Sequence, residues 1–127
     1  MTSTIRAVTV DCRDPERVGR FWADALGYGD DPDNPNTSGD PEWLLVSPVG
    51  VVHLLFQVVD EPKRVKNRLH FDLEPTEQTR DEEIARLAGL GATVVADHRR
   101  ADGSGWVTMA DPEGNEFDVE RSRAERG

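Results

Sequence analysis

The chain has 127 residues, of which 36% are hydrophobic and 31% are charged, and this predicts one folded domain rather than a disordered or fibrous chain. Its net charge of −10 disfavours nucleic acid and anionic membranes as partners, since both repel an acidic protein. With one cysteine, Cys12, no signal-peptide pattern and no apolar run near the ~20 residues of a membrane helix, we expect a cytoplasmic protein.

The first strand and helix are predicted from residues 5–27. Residues 5–12 alternate between apolar and polar side chains, as a half-buried strand does. Asp14 and Pro15 then have the residue types favoured at a helix N-cap and at the first helical position. Gly27 has the residue type that commonly ends a helix, so we predict a helix between Asp14 and Gly27.

Residues 29–41 are rich in Asp, Asn, Pro and Gly, which predicts a loop. Its length exceeds that of an ordinary connection, so the loop is either an irregular excursion or a lid over a site. Strands are predicted next over residues 43–47 and 51–59, with residues 48–50 as the turn between them. The polar residues 60–67 then connect the two halves of the chain.

The second half of the chain repeats the order of the first. Residues 68–73 predict a strand, and residues 76–90 predict a helix that ends at Gly91. Three strands close this half, over residues 92–96, 106–110 and 116–120. Residues 121–127 mix charges without an apolar anchor and are predicted to fray.

This repeated order of elements indicates an internal duplication. The predicted fold class is α+β: two βαβββ modules, over about residues 4–60 and 68–120, within one domain that spans residues 1–127. The modules are expected to form a cupped mixed sheet with the helices on its outer face.

Polar and ionisable side chains are predicted on the sheet face that points away from the helices, because successive strand residues point to opposite faces. They are Thr9, His53, Gln57, His70, Asp72, Glu116 and Asp118. A flat sheet open to water would show the same pattern. Two of the three histidines fall on this face, which favours a concave surface that binds a small ligand. Trp43 and Trp106 are predicted to line that pocket and stack on a planar ligand.

Several motifs resemble those of the vicinal oxygen chelate superfamily. Asp14 followed by Phe21-Trp22 and Leu26-Gly27 resembles its opening signature, and residues 111–117 (DPEGNEF) resemble its closing signature. Residues 66–73 are similar to the middle of a glyoxalase-like subgroup common in actinobacteria. The superfamily includes glyoxalase I, extradiol dioxygenases, epimerases and antibiotic-binding resistance proteins, so the resemblance implies a fold more specifically than a reaction.

The resemblance also implies where a metal would be bound. The first-strand ligand position of the metal-dependent members corresponds to Ala7, which cannot bind a metal. His70 and Asp118 match two further ligand positions, and the remaining one falls on His53 or Gln57. The leading interpretation is a pocket without metal. The alternative is a rebuilt site of His53, His70 and Asp118 that holds Ni, Zn, Fe or Mn.

Three functions are compatible with these residues. The first is a glyoxalase-like protein that binds a small organic molecule in its cup without a cofactor. The second is a lyase, isomerase or dioxygenase that uses a metal, or that uses His70 with Asp72 or Asp118 as an acid–base pair. The third is a structural dimer module whose own side chains fill the cup. A homodimer is expected in each case, because such chains of the superfamily usually pair and pairing covers exposed strand edges.

Overall fold

Two small mixed β-sheets and three helices make up the computed structural model, which describes residues 1–50 and 52–127. The chain divides into two compact units, Met1–Pro62 and Lys63–Gly127. The α+β class predicted from the sequence is confirmed. In the part of the chain so described, every helix is too short or too polar to span a membrane.

Three strands form the sheet of the first unit: β1 (Ala7–Cys12), β2 (Glu42–Leu45) and β3 (His53–Val58). Their order is β1-β3-β2, with β1 parallel and β2 antiparallel to β3. Strands β2 and β3 come after the helix of this unit in the chain. Gly29 and Val46 form a further, isolated antiparallel bridge. The strand expected to begin at Val51 is observed from His53 onward, and Val51 itself lies outside the described residues.

Helix α1, Pro15–Leu26, begins and ends where the sequence predicts. The Asp14 side chain accepts a hydrogen bond from the Arg17 N–H at 3.1 Å, which satisfies one of the free donors of the first turn. Gly27 ends the helix at a φ of 72°, a left-handed conformation that glycine adopts without a steric penalty.

Helix α1 packs against β2 at a point where only a glycine fits. A Cβ atom on Gly19 would lie 2.4 Å from Cδ1 of Trp43, far inside van der Waals contact. Trp43 is 5% exposed and lies opposite the fully buried Phe56 on β3. The guanidinium of Arg20 lies 5.4 Å from the centre of the Trp43 ring, on which it forms a cation–π contact. The Trp43 ring therefore belongs to the helix side of the sheet.

The loop over residues 29–41 is fixed to β2 by the side chain of Asn36. Its Nδ2 donates to the Leu44 carbonyl at 2.7 Å, and the Leu44 N–H donates to Asn36 Oδ1 at 3.0 Å. Nδ2 also donates to Asp30 at 2.7 Å. The amide thus takes the place of a pairing strand at the edge of β2. Both interpretations of this loop, a lid and an irregular excursion, stay predictions.

Four strands form the sheet of the second unit: β4 (Asp72–Leu73), β5 (Thr93–Asp97), β6 (Val107–Ala110) and β7 (Glu116–Val119). Their order is β4-β7-β6-β5, with β4 parallel to β7 and the other pairs antiparallel. Helix α2, Arg80–Leu90, follows β4 and begins with a capping box formed by Thr79 and Glu82. This unit has the predicted βαβββ order.

Strand β4 is shorter than the sequence predicts. A strand was expected over residues 68–73, but only Asp72 and Leu73 pair as strand residues, and Leu69 is 83% exposed. The reason lies in Asn67, whose Nδ2 donates to the Glu116 carbonyl at 3.0 Å and whose Oδ1 accepts from the Glu116 N–H at 2.9 Å. A side chain thereby takes up the backbone groups that a longer β4 would have paired.

The C-terminal residues are ordered against α2, so the expectation that they fray was wrong. Helix α3, Arg123–Arg126, begins with a capping box formed by Ser122 and Glu125. Glu125 Oε1 also accepts a hydrogen bond from the Arg80 N–H at 2.8 Å. This places a carboxylate at the positive end of α2, where the free N–H groups and the helix dipole both favour it.

Candidate functional site

Three neighbouring strands of the second unit bring polar side chains to the same level of the sheet. Asp72 on β4 lies opposite Asp118 on β7, and Asp118 lies opposite Thr108 on β6. Phe117 and Val119 flank Asp118 in the chain and are buried. Since strand side chains alternate, Asp118 points to the face opposite to that of its two apolar neighbours.

His70 completes this group of side chains. Its Nδ1 lies 3.2 Å from Asp118 Oδ2 and 3.4 Å from Asp72 Oδ1. Ligand atoms of the three residues all lie within 4.8 Å of one another. The side chains are 40% exposed for His70, 55% for Asp72 and 15% for Asp118, so the cluster is anchored at Asp118 and open to solvent at the other two. We call these three residues the His70 cluster.

The ion-pair contacts of His70 indicate which of its atoms remain for a ligand. Ionised carboxylates only accept hydrogen bonds, so an imidazole nitrogen that faces two of them is the one that carries a proton. The two carboxylates beside Nδ1 of His70 favour a proton on this nitrogen, which leaves Nε2 as the acceptor. Asp118 Oδ1, the other oxygen of that carboxylate, accepts from the Thr108 hydroxyl at 2.6 Å.

Glu116, a predicted ligand-binding residue, forms an ion pair in the same unit. Lys66 Nζ lies 2.7 Å from Glu116 Oε1. The hydrogen bond from the Lys66 ammonium holds the pKa of the Glu116 carboxyl below its usual value, and the nearby charges of Lys63 and His70 act in the same direction. Lys63 and Lys66, which lie in the predicted connector of residues 60–67, are thus neighbours of the predicted site.

The remaining predicted residues of the open face belong to the first unit. Thr9 and Gln57 are exposed on β1 and β3. His53 lies opposite Ala7, and its Nδ1 accepts a hydrogen bond from the Ser47 N–H at 3.2 Å. One imidazole nitrogen of His53 is therefore engaged by its own unit. The structure brings His70, Asp72 and Asp118 together, and the roles assigned to these first-unit residues stay predictions.

Both tryptophans predicted to stack on a ligand have aromatic or cationic neighbours of their own. Trp43 is enclosed by α1 and β2, as described above. Trp106 is 37% exposed, and its ring centre lies 5.0 Å from that of His98 at an angle of 33°. The His98 N–H also donates to the Trp106 carbonyl at 2.9 Å, which holds the two rings together. Their role in ligand binding stays a prediction.

Thr108 was not among the residues predicted from the sequence. It is 7% exposed and lies between Val107 and Met109, which are both buried. Alternation along β6 would have placed Thr108 on the open face, beside Asp118, had the parity argument been extended to that strand.

A groove of about 370 Å³ lies in the first unit, within the range of small-molecule sites. Leu44 and Leu55, which face each other on β2 and β3, contribute its apolar part. Arg6, Asp40 and Glu42 supply charged side chains at its sides. The groove is open to solvent, and its volume is that of a small ligand site.

Comparisons with known proteins identify the fold. Residues 7–120 match the family model described as a glyoxalase-like domain. A glyoxalase/bleomycin resistance protein/dioxygenase family enzyme from Burkholderia phytofirmans PsJN has a TM-score of 0.68 at 19% identity, covering 92% of this chain and 97% of that chain. A mutant of the fosfomycin resistance protein FosX from Listeria monocytogenes, complexed with Mn(II) and 1S,2S-dihydroxypropylphosphonic acid, has a TM-score of 0.70 at 16% identity, covering 99% and 98%.

A third similar structure is the oxidase ChaP-H2, with a TM-score of 0.64 at 25% identity, covering 97% of this chain and 95% of that chain. No curated protein sequence matches the chain. At such low identities the similarity shows the fold, and proteins described as differently as a fosfomycin resistance protein and an oxidase share it.

Proposed function

This chain belongs to the family of glyoxalase-like domains, and we propose that it binds a small organic molecule at the His70 cluster without requiring a metal ion. The observation that carries the proposal is the orientation of His70. Its Nδ1 lies 3.2 Å from Asp118 and 3.4 Å from Asp72, which leaves Nε2 of a 40% exposed imidazole for the ligand.

The chemistry of the cluster defines the ligand class. Nε2 of the His70 imidazole in its neutral form accepts hydrogen bonds, as do the carboxylates of Asp72 and Asp118, so together they favour a molecule that carries hydroxyl or amine groups. Lys66, paired with Glu116 at 2.7 Å, offers a cation for an anionic end of that molecule. We therefore expect a small hydroxy or amino compound with an acidic group.

The second candidate is an enzyme that binds a divalent cation with the same cluster. The donor set fits, because one imidazole nitrogen and two carboxylate oxygens within 4.8 Å of one another suit Mn, Fe, Ni or Zn. FosX of Listeria monocytogenes, with the same fold, contains Mn(II). Bound metal would supply Lewis-acid polarisation of a ligand oxygen. In an enzyme without metal, Nε2 of His70 would serve as the base of an isomerase or lyase reaction. The alanine at position 7 weighs against this candidate.

Ligand binding measured with and without metal distinguishes the two candidates. The untagged chain is treated with EDTA, its metal content is measured by elemental analysis, and hydroxycarboxylates, aminocarboxylates and hydroxyphosphonates are titrated in while the imidazole NMR signals are followed. We expect a metal-free chain whose His70 signals shift with one of these probes. His70→Ala should abolish binding, whereas His98→Ala, which removes another exposed imidazole of the same unit, should leave it unchanged.

Two outcomes would contradict the proposal. Binding that requires one metal ion per chain, with the ion lost in His70→Ala, would replace it with the second candidate. Binding that survives His70→Ala but is lost when Leu55→Trp fills the groove of the first unit would move the ligand away from the cluster.

Three further features belong to this proposal: membership of the actinobacterial glyoxalase-like subgroup, a cytoplasmic location and a homodimer. The strand edges at β1, β4 and β5 support the homodimer, since unpaired edges of this kind are commonly covered by a partner. Light scattering on the purified chain tests it, with twice the mass of one chain expected and the mass of one chain contradicting it.

A further inference from the structure

We propose that Thr108 is a positioning residue whose hydroxyl fixes the carboxylate of Asp118 and, through that carboxylate, the protonation pattern and orientation of the His70 imidazole. This inference rests on the proposed function of the His70 cluster. It adds that Thr108, which is not one of the three cluster residues, orients their side chains.

The side chains of Thr108 and Asp118 are joined by a short hydrogen bond. Thr108 Oγ1 donates to Asp118 Oδ1 at 2.6 Å, a short distance typical of a hydroxyl bonded to an ionised carboxylate. Thr108 is 7% exposed and the Asp118 side chain 15%, so water competes little for this bond. A carboxylate oxygen in such a place is costly to leave without a donor.

The main chain around Thr108 and Asp118 is fixed by strand pairing. Thr108 and Asp118 are direct cross-strand partners on β6 and β7. On the other side of β7, the Asp118 N–H donates to the Phe71 carbonyl at 2.9 Å. The pairing of β7 with both β4 and β6 thus fixes the main chain around Asp118, and rotation of its side chain is the remaining freedom. The Thr108 hydroxyl removes that freedom by binding one of the two oxygens.

The orientation of the Asp118 carboxylate determines which of its oxygens faces His70. With Oδ1 bonded to Thr108, Asp118 presents Oδ2 to the ring, and Nδ1 of His70 lies 3.2 Å from it. Fixing one oxygen therefore fixes the direction of the other. We infer that Thr108 keeps the proton on Nδ1 and keeps Nε2 free for the ligand, as carboxylate partners do for functional histidines elsewhere.

The experiment measures the His70 tautomer directly, before any ligand is added. The full chain is labelled with nitrogen-15, and long-range proton–nitrogen spectra are recorded at about pH 9, where histidine side chains are neutral. We expect the Nδ1–H form to predominate in the wild type and in Thr108→Ser, which keeps the hydroxyl. Thr108→Val keeps the shape and loses the hydroxyl, and its His70 should revert to the mixed tautomers of an unconstrained histidine.

Thr93→Val is the matched control, because Thr93 is an exposed threonine on the edge strand of the same sheet. It should leave the His70 spectrum unchanged. If Thr108→Val does not fold, Thr108→Ala takes its place in the comparison with serine. A His70 tautomer that is the same in the wild type and in the variant lacking the hydroxyl would overturn the inference, as would a serine variant that behaves like valine.

A Mn(II) titration followed by electron paramagnetic resonance gives a second readout. If the wild type binds Mn(II) at the cluster, Thr108→Val should weaken the affinity about tenfold and Thr108→Ser should restore it, as for other residues that orient metal ligands. Unchanged affinity in Thr108→Val would count against the inference. A wild type that binds neither Mn(II) nor an organic probe would contradict the proposed function, while the tautomer result would still decide the role of Thr108.

Discussion

Two helical glycines show how the absence of a single Cβ atom can be required by packing at one position and not at another. Gly19 lies in the middle of α1, where glycine ordinarily lowers helix stability, but its missing Cβ leaves the space that the Trp43 ring occupies. Gly89 lies in the last turn of α2, and a Cβ there would meet no atom within 4 Å. Both glycines are helical, but only the Cβ position of Gly19 is occupied by another side chain.

We predict that Gly19→Ala lowers the free energy of unfolding by about 1–3 kcal/mol, the usual effect of overpacking a core. Gly89→Ala should instead raise it by about 0.5–1 kcal/mol, because only the helix propensity changes there. Urea denaturation of both variants measures the difference. A Gly19→Ala variant as stable as Gly89→Ala would show that the Trp43 ring moves aside at little cost.

The ion pair of Lys66 with Glu116 gives a prediction about pH. Lys66→Met should raise the pKa of Glu116 toward its usual range, because the hydrogen bond that lowers it is removed. Lys63→Met removes a weaker charge interaction and should raise the same pKa less. Carbon-13 NMR of the Glu116 carboxyl measures both shifts, and equal shifts in the two variants would contradict the hydrogen-bond assignment.

The sign of the stability effect follows from the lowered pKa of Glu116. Its carboxylate is stabilised in the folded chain, so the contribution of the ion pair is present at neutral pH and is lost as the pH falls through the folded-state pKa. The pair is exposed, so added salt should reduce this contribution.

Elements of the fold differ in how far local sequence determines them. Helix α1 begins and ends where its caps Asp14 and Gly27 predict, and α2 ends at Gly91 as predicted, since these residues act within one turn of their own position. The start of α2 was predicted at residue 76, but the helix begins at Arg80 after the N-cap Thr79. The length of β4 was not predictable in this way, because it depends on the Asn67 side chain binding a strand 49 residues further along the chain. Contacts of that separation leave no periodic signal in the sequence.

Helix α3 shows the same limit at the C-terminus. Its composition predicts a frayed tail, yet Glu125 reaches the Arg80 N–H, 45 residues away, at 2.8 Å. The N–H groups of Ser122 and Arg80 hold the pKa of Glu125 below its usual value. The element is therefore stabilised by its contact with α2 and by its own capping box rather than by its length.

We predict that Glu125→Ala lowers the free energy of unfolding by about 0.5–2 kcal/mol, as loss of a capping carboxylate does. Arg123→Ala, in the same helical turn and exposed, is the control and should change it by less than about 0.5 kcal/mol. Thermal unfolding followed by circular dichroism gives both values. Equal stability of the two variants would mean that α3 does not support α2.

The whole chain could be assigned to its fold from sequence because two classes of signal agree over most of its length. Strand alternation and helix caps give the repeated order of elements, and the opening and closing motifs give the superfamily resemblance. The closing motif has a structural reason, since Asp111 Oδ1 accepts from the N–H groups of Glu113 and Asn115 at 2.8 and 2.9 Å and so shapes the turn before β7. Such a motif specifies a fold and carries no information about the ligand.

The candidate site was predictable only in part for the same reason. Strand parity placed His70, Asp72 and Asp118 on one face, and the structure brings these three together. Thr108 could have been found by the same parity argument, whereas the hydrogen bond between His53 and Ser47 depends on the shape of a turn that parity does not describe.

The stability of the whole chain shows whether it binds metal, because a bound ligand stabilises the folded state against unfolding. If the His70 cluster binds its organic ligand without metal, the unfolding temperature should be the same in EDTA and in excess Mn(II). If instead the cluster binds Mn(II), a concentration 100 times the dissociation constant adds about 2.7 kcal/mol to the free energy of unfolding. That gain should vanish in Asp118→Asn, which removes the carboxylate charge at the least exposed ligand, and should persist in Asp24→Asn, an exposed carboxylate on α1. Equal unfolding temperatures support the organic ligand alone, and a gain that depends on Asp118 supports the metal-dependent enzyme.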